Sequence, residues 1–148
     1  MKNLVFTLLI FFIPISIISQ EKPDYFKNLT SKERNVIVNK GTEYPNTGKY
    51  NKHFEKGVYH CKACDSPLYE SNSKFESNCG WPSFDDEIKN AVTRHPDYVL
   101  GYKRVEICCS KCGGHLGHIF EGEKFTEKNI RHCVNSISLV FKPNKKIK

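Results

Sequence analysis

At 148 residues, with a formal net charge of +7, the chain has room for one domain with a modest hydrophobic core, so a single site is expected. The basic residues are spread out rather than grouped, which speaks against nucleic-acid binding, and the tail from Lys142 to Lys148 reads as a solvated end. Seven cysteines is an odd number, so a fully paired disulfide framework is not the whole account.

The first residues differ from the rest. Lys2 is the only charge before Gln20, and Leu4 to Ile18 is apolar apart from Thr7, Pro14 and Ser16. The run is short for a bilayer span, is interrupted by Pro14 and ends at the small Ser19, a pattern that predicts a signal peptide over residues 1–19. The expectation is export to a periplasm or the exterior, with no stable membrane insertion after cleavage and a membrane anchor if cleavage fails. Residues 20–148 are then a single domain, expected to be a monomer.

Thr30, with Glu33 three residues on, has the form of a capping box, which predicts a short helix from about Ser31 to Val38 that Gly41 can end. Between Gly41 and Gly57 the Pro45-Asn46 and Thr47-Gly48 pairs and several charges predict an exposed loop. Strand-like runs follow at Gly57 to His60, Pro67 to Tyr69, Leu100 to Ile107 and Ser136 to Phe141. In the last of these Ile137, Leu139 and Phe141 alternate with Ser138 and Val140. No apolar pattern of helical period is sustained, so the fold class expected is a mainly antiparallel β domain.

Cys61-Lys62-Ala63-Cys64 and Cys109-Ser110-Lys111-Cys112 are two C-x-x-C knuckles, the spacing that turns two thiolates toward one tetrahedral metal. Together they predict a closed structural zinc site, one ion per chain, with about 10 to 16 kcal/mol of apparent binding energy available to the fold. The competing reading, disulfides or a thioredoxin-like redox pair at each knuckle, gains weight from export.

Cys79, Cys108 and Cys133 remain. Cys133 sits in Arg131-His132-Cys133-Val134-Asn135-Ser136 at the expected entrance to the last strand, where positive neighbours favour a thiolate. The Cys79-Gly80-Trp81-Pro82-Ser83-Phe84 turn carries the only tryptophan beside a second thiol, and His115-Leu116-Gly117-His118 adds two imidazoles. Each piece alone fits a packing role. As a set they offer a nucleophile, a proton donor, an apolar wall and a possible resolving thiol.

With Gly41-Thr42-Glu43, Gly57-Val58-Tyr59-His60-Cys61 and Arg104-Val105-Glu106-Ile107 added, these blocks resemble the B-type methionine sulfoxide reductases, which act on the R epimer, over about residues 29–143. The resemblance implies a fold of two antiparallel sheets, a catalytic Cys133, a recycling Cys79 and zinc on Cys61, Cys64, Cys109 and Cys112. It also implies that Trp81 faces the substrate methyl group and that His115, His118, Arg131 and Asn135 line or organise the site. Many members have Asp-Gly four and five residues after the second histidine, whereas His118 here is followed by Ile119-Phe120-Glu121-Gly122-Glu123. Glu121 is the expected stand-in at the substrate. Cys108 replaces arginine or another residue of relatives.

The expected reaction is thiol attack by Cys133 on methionine sulfoxide, free or in proteins. His118 would help protonate the oxygen, a Cys79–Cys133 disulfide would follow, and a thioredoxin-like protein would regenerate the thiols. No glycine-rich nucleotide motif is present, so thiols are the expected source of electrons. The competing class is a non-catalytic zinc-ribbon binding module, which leaves Cys79, Trp81, His118 and Cys133 unexplained.

Overall fold

The computed structural model describes residues 24–145, so the signal-peptide expectation for residues 1–19 lies outside the described residues. Its one α-helix, α1 (Ser31–Ile37), starts as the sequence dictates: the Thr30 side chain accepts from Glu33 N and the Glu33 carboxylate accepts from Thr30 N, both halves of a capping box. The left-handed residue that turns the chain out of the helix is Lys40, at φ 59°, not Gly41. Among the described residues no helix is long and apolar enough to cross a membrane.

Nine strands follow: β1 (Gly57–Cys61), β2 (Pro67–Glu70), β3 (Lys74–Phe75), β4 (Ser83–Phe84), β5 (Val92–Asp97), β6 (Arg104–Cys109), β7 (His115–Glu121), β8 (Ile130–Val134) and β9 (Leu139–Pro143). They form two antiparallel sheets, β2-β1-β9 and β3-β4-β8-β7-β6-β5, as the sequence predicts for the class. Three boundaries differ from expectation. Residues Leu100 to Lys103 belong to the β5–β6 turn, where Gly101 N donates to Tyr98 O at 2.9 Å. Ser136–Ser138 is a 3₁₀ turn, so the last strand starts only at Leu139. Cys133 lies in β8, one strand earlier than expected.

The register sorts the larger sheet into two faces, because side chains alternate along every strand. Phe84 pairs with His132, and Ile119 with both His132 and Val105. Phe84, Ile107, Ile119 and Val134 are buried in the core with Tyr59, Leu68, Tyr69 and Leu139 of the smaller sheet. Tyr69 stacks on Phe84 with ring centroids 4.3 Å apart, and the Tyr69 hydroxyl meets His132 Nδ1 at 3.1 Å. The opposite face runs Ser83, Cys133, His118, Glu106 and His95 across neighbouring strands. Cys133 and the His118 imidazole lie there.

The segment before Gly57 is a largely exposed loop, as expected, but it is also a strap tied across the fold. Asn135 Oδ1 accepts from Glu43 N at 3.0 Å, the Glu43 carboxylate accepts from Ile137 N at 3.0 Å, and Tyr50 is buried. Short-range composition marks the turns of this strap correctly, but its anchors are more than eighty residues away in sequence.

Candidate active site and metal centre

The alternation of β8 puts Arg131 and Cys133 on the polar face and sends His132 and Val134 into the core. Cys133 faces Ser83 on β4 and His118 on β7. Cys79, on the turn before β4, brings its sulfur to 4.0 Å from the Cys133 sulfur. Ser77 Oγ donates to Cys79 Sγ at 3.0 Å, and Ser83 Oγ lies 3.5 Å from it. Neither serine stands out in the sequence as a site residue.

This reduced pair behaves as one titrating unit. The contact with Cys133, then those with Ser77 and Ser83, hold Cys79 down at about 4. The same contact with Cys79, reinforced by burial, pushes Cys133 far above the ordinary thiol range despite the nearby Arg131 charge. The sequence expects the positive neighbours of Cys133 to favour its thiolate; in the fold Arg131 does act in that direction, and the contact with Cys79 and burial oppose it. That contact spans 54 positions, and no local motif encodes it.

A pocket of about 150 Å³ opens onto Cys133, lined by Thr42, Trp81, Arg104, Gly117, His118, Phe120, Cys133 and Asn135. Two larger surface clefts lie away from this chemistry and are mainly polar. Trp81 is fixed by its indole nitrogen, which donates to Glu43 O at 3.1 Å. Asn135 is held from both ends of its amide, by Glu43 N and by Leu116 O, to which its Nδ2 donates at 3.1 Å.

The two histidines are three positions apart, a spacing that in a regular strand puts them on opposite faces. A register shift between Ile107 and Cys108 interrupts the pairing of β6 with β7 and brings both imidazoles to the polar face, with ring centroids 5.5 Å apart. His118 reaches the pocket. Its Nε2 meets Asp97 Oδ2 at 2.7 Å, and Arg104 Nη2 donates to that oxygen at 2.6 Å. Asp97 also accepts from Val99 N, and that bond together with His118 holds its carboxyl down at about 2.

His115 does not line the Cys133 pocket. It is buried behind His118, with Nδ1 at 2.7 Å from Glu106 Oε1, while Lys40 Nζ donates to Glu106 Oε2 at 2.8 Å. Burial lowers the His115 pKa, so the imidazole is held neutral. Cys108, also buried, has its thiol pushed up to about 12 by burial and then by Glu106. Glu106, Cys108 and His115 bring ligand-type atoms within 4.8 Å of one another, but the Lys40 ammonium already occupies the carboxylate.

Arg131 is buried, with its charge beside the sulfur pair and its guanidinium carbon 4.5 Å from the centroid of the Phe120 ring. Glu121, expected at the substrate, sits exposed at the end of β7 and is not among the residues lining the Cys133 pocket. Glu123 accepts from Arg131 Nε at 2.7 Å and from Nη2 at 2.9 Å. Gly122, with φ 85°, turns the chain between Glu121 and Glu123. Asp97 and Glu123 are thus acids that sequence reasoning missed. Arg104 and Thr42 lie inside blocks it singled out without receiving a role.

At the end of β1 and in the turn after β6 lie the two knuckles. The Cys61 and Cys112 sulfurs are 3.6 Å apart, those of Cys64 and Cys109 are 3.5 Å apart, and all four lie within 4.8 Å of one another. A tetrahedron with zinc–sulfur bonds of about 2.3 Å has sulfur–sulfur edges of roughly 3.8 Å, so the cluster has the dimensions to hold zinc. It joins the two sheets, since Cys61 belongs to one and Cys109 to the other.

A two-sheet β domain with this cysteine cluster and a paired-thiol pocket has relatives of known description. The SelR domain matches residues 29–143, and the chain belongs to the SelR domain family. It is 53% identical over 116 residues to "Peptide methionine sulfoxide reductase B2, chloroplastic" of Arabidopsis thaliana, covering 78% of this chain and 56% of that protein. To "Peptide methionine sulfoxide reductase 2" of Saccharomyces cerevisiae it is 52% identical over 120 residues, covering 77% of this chain and 71% of that protein. To "Peptide methionine sulfoxide reductase B5" of Oryza sativa subsp. japonica it is 50% identical over 116 residues, covering 78% and 84%. The chain spans about half the length of the chloroplastic relatives, whose names speak for those proteins.

Proposed function

We propose that this protein reduces methionine R-sulfoxide to methionine. The observation that carries the reading is the Cys79–Cys133 sulfur pair at 4.0 Å, with Cys133 on the wall of a small pocket shared by Trp81 and His118. The names of the family relatives support the same reaction class.

In the first step the Cys133 proton passes to the Cys79 thiolate or onward, and the Cys133 sulfur attacks the sulfoxide sulfur. His118, oriented by Asp97, delivers a proton to the sulfoxide oxygen as charge develops there. Oxygen moves to Cys133 as a sulfenic acid and methionine leaves. Cys79 then attacks the sulfenic sulfur; the hydroxyl departs with a proton as water, and a Cys79–Cys133 disulfide remains. A dithiol protein of the thioredoxin type supplies two electrons and two protons to restore both thiols. Arg131, held by Glu123, offsets negative charge on the sulfurs. Trp81 and Phe120 are the apolar surfaces available to the substrate methyl group.

Cys61, Cys64, Cys109 and Cys112 would hold zinc, whose contribution is a cross-link between the sheets. For residues 1–19 the reading remains export, tested by N-terminal sequencing of the protein recovered from its native host.

The deciding experiment is turnover of the two separated sulfoxide epimers with dithiothreitol, comparing wild type with Cys133→Ser and Cys79→Ser. The expected result is reduction of the R epimer alone and its loss in Cys133→Ser. Cys79→Ser should retain one turnover but lose recycling by thioredoxin, because removing Cys79 also removes the largest influence raising the Cys133 pKa. A folded wild type inert toward both epimers would return the chain to the binding-module class.

A further inference from the structure

The pocket at Cys133, about 150 Å³, is well below the size of sites that enclose a whole small ligand. A side chain fits; whatever flanks it in a longer substrate lies outside, over the rim. That rim is not polar. Of seven large hydrophobic residues exposed among the described residues, four fall within five positions at the β5–β6 turn: Tyr98, Val99, Leu100 and Tyr102, with Val99 at 86% exposure. Scattered apolar side chains on a surface need no explanation, but a cluster of this kind marks an interaction surface.

The turn is built, not frayed. Gly101, at φ 80°, closes it by donating to Tyr98 O, and Asp97 accepts from Val99 N at 2.9 Å. The other oxygen of that Asp97 carboxylate is the one that holds His118 and Arg104. One aspartate therefore fastens the apolar tip to two residues that line the Cys133 pocket. The cavity beside the tip, lined in part by Tyr98 and Val99, also shares Thr42, Arg104 and His118 with the Cys133 pocket. Tyr98 and Val99 of the apolar tip thus line a cavity that adjoins the substrate pocket.

We propose that the β5–β6 tip, Tyr98 to Tyr102, is the docking surface for an extended polypeptide carrying apolar residues beside its oxidised methionine. This rests on the reductase reading and deepens it, by assigning the tip as the surface that reads the residues flanking the oxidised methionine. A free amino acid has nothing to lay on the tip.

The test uses two short peptides with R-sulfoxide at the centre, one flanked by leucines and one by serines, together with free methionine R-sulfoxide. Binding of the labelled peptides is measured by fluorescence anisotropy on Cys133→Ser protein, with and without Val99→Ser and Leu100→Ser. Turnover with dithiothreitol is measured in the Cys133 protein with and without the same pair. Covering two apolar side chains in part is expected to favour the leucine peptide by about tenfold, and the double substitution is expected to erase that preference. Turnover of the free amino acid and the serine peptide should stay unchanged.

Equal loss on all three substrates, or a preference that survives the substitutions, overturns the proposal. Turnover repeated with thioredoxin in place of dithiothreitol reads a reductant surface and size-exclusion chromatography reads a self-interface; an effect of the substitutions confined to either overturns the proposal. Absence of turnover in wild type would defeat the reductase reading, while the anisotropy measurement would still decide the docking surface.

Discussion

Replacing Glu123 by Gln removes the charged half of a bidentate contact to a buried guanidinium while keeping the length of the side chain. Arg131 is 8% exposed at its side chain and Glu123 is 36% exposed, so the pair lies between a surface ion pair and a buried one. Surface pairs contribute about 0 to 1 kcal/mol and stranding a buried charge costs about 3 to 5. With water able to reach Glu123, a loss of about 1 to 2 kcal/mol is expected, a drop in Tm of roughly 2 to 8 °C in a domain of this size. Arg131 Nη1 already lacks a hydrogen-bond partner, which leaves the Phe120 ring and the nearby sulfurs as the contacts that remain when Glu123 is neutralised. The catalytic consequence is a loosened charge beside the sulfur pair, expected to lower single-turnover reduction by about tenfold, or about 1.4 kcal/mol. Glu121→Gln is the matched control, since Glu121 is exposed on the same strand end and makes no such contact. Thermal unfolding by circular dichroism and rapid-mix turnover read both effects. Equal behaviour of the two variants would refute the placement of Glu123.

Gly117→Ala is expected to destabilise by about 1 to 3 kcal/mol or more in urea unfolding, since a Cβ there would lie 1.9 Å from the Cys133 carbonyl oxygen and must force β7 from β8. An unchanged midpoint would contradict the strand register. His132 is fully buried and held at about 4, chiefly by burial, so the unfolded chain binds the extra proton between pH 4 and its ordinary value of about 6.5. Stability should therefore fall as pH drops through that window, by up to about 3 kcal/mol, and His132→Gln should flatten the acid limb of a urea midpoint against pH series. Prolonged chelation is expected to release one zinc per chain and to lower Tm sharply, with the four cluster thiols becoming reactive to a thiol reagent; retention of Tm after metal loss would count against a structural role.

The elements most legible in the sequence are those fixed by neighbours in the chain. The Thr30–Glu33 box and the two knuckles are local patterns whose physics is complete within four residues, and the fold places them as expected. Cys133 and Trp81 were legible because unusual residue types stood together in short blocks. What the chain order hides is pairing over distance. Asp97 is 21 positions from His118, and nothing near it marks it as the acid on that imidazole. Glu123 was missed because its role depends on how the chain turns at Gly122. The proton shared between Cys79 and Cys133 depends on where two separate turns deliver their sulfurs. Five of the nine strands escaped notice for a related reason: β3 and β4 are two residues each, and β7 contains the irregularity that hides its period.

The two-residue period of β8 has a consequence for how the gene can change. Cys133 and Arg131 point to the chemistry, while His132 and Val134 point to the core, in one uninterrupted stretch of five residues. Inserting or deleting a single residue there would turn the sulfur inward and the core residues outward at once. A one-residue insertion or deletion therefore disturbs the chemistry and the core together unless a bulge absorbs it, as the irregularity between Ile107 and Cys108 does in the pairing of β6 with β7. Substitution in place changes one face of the strand and leaves the other as it is.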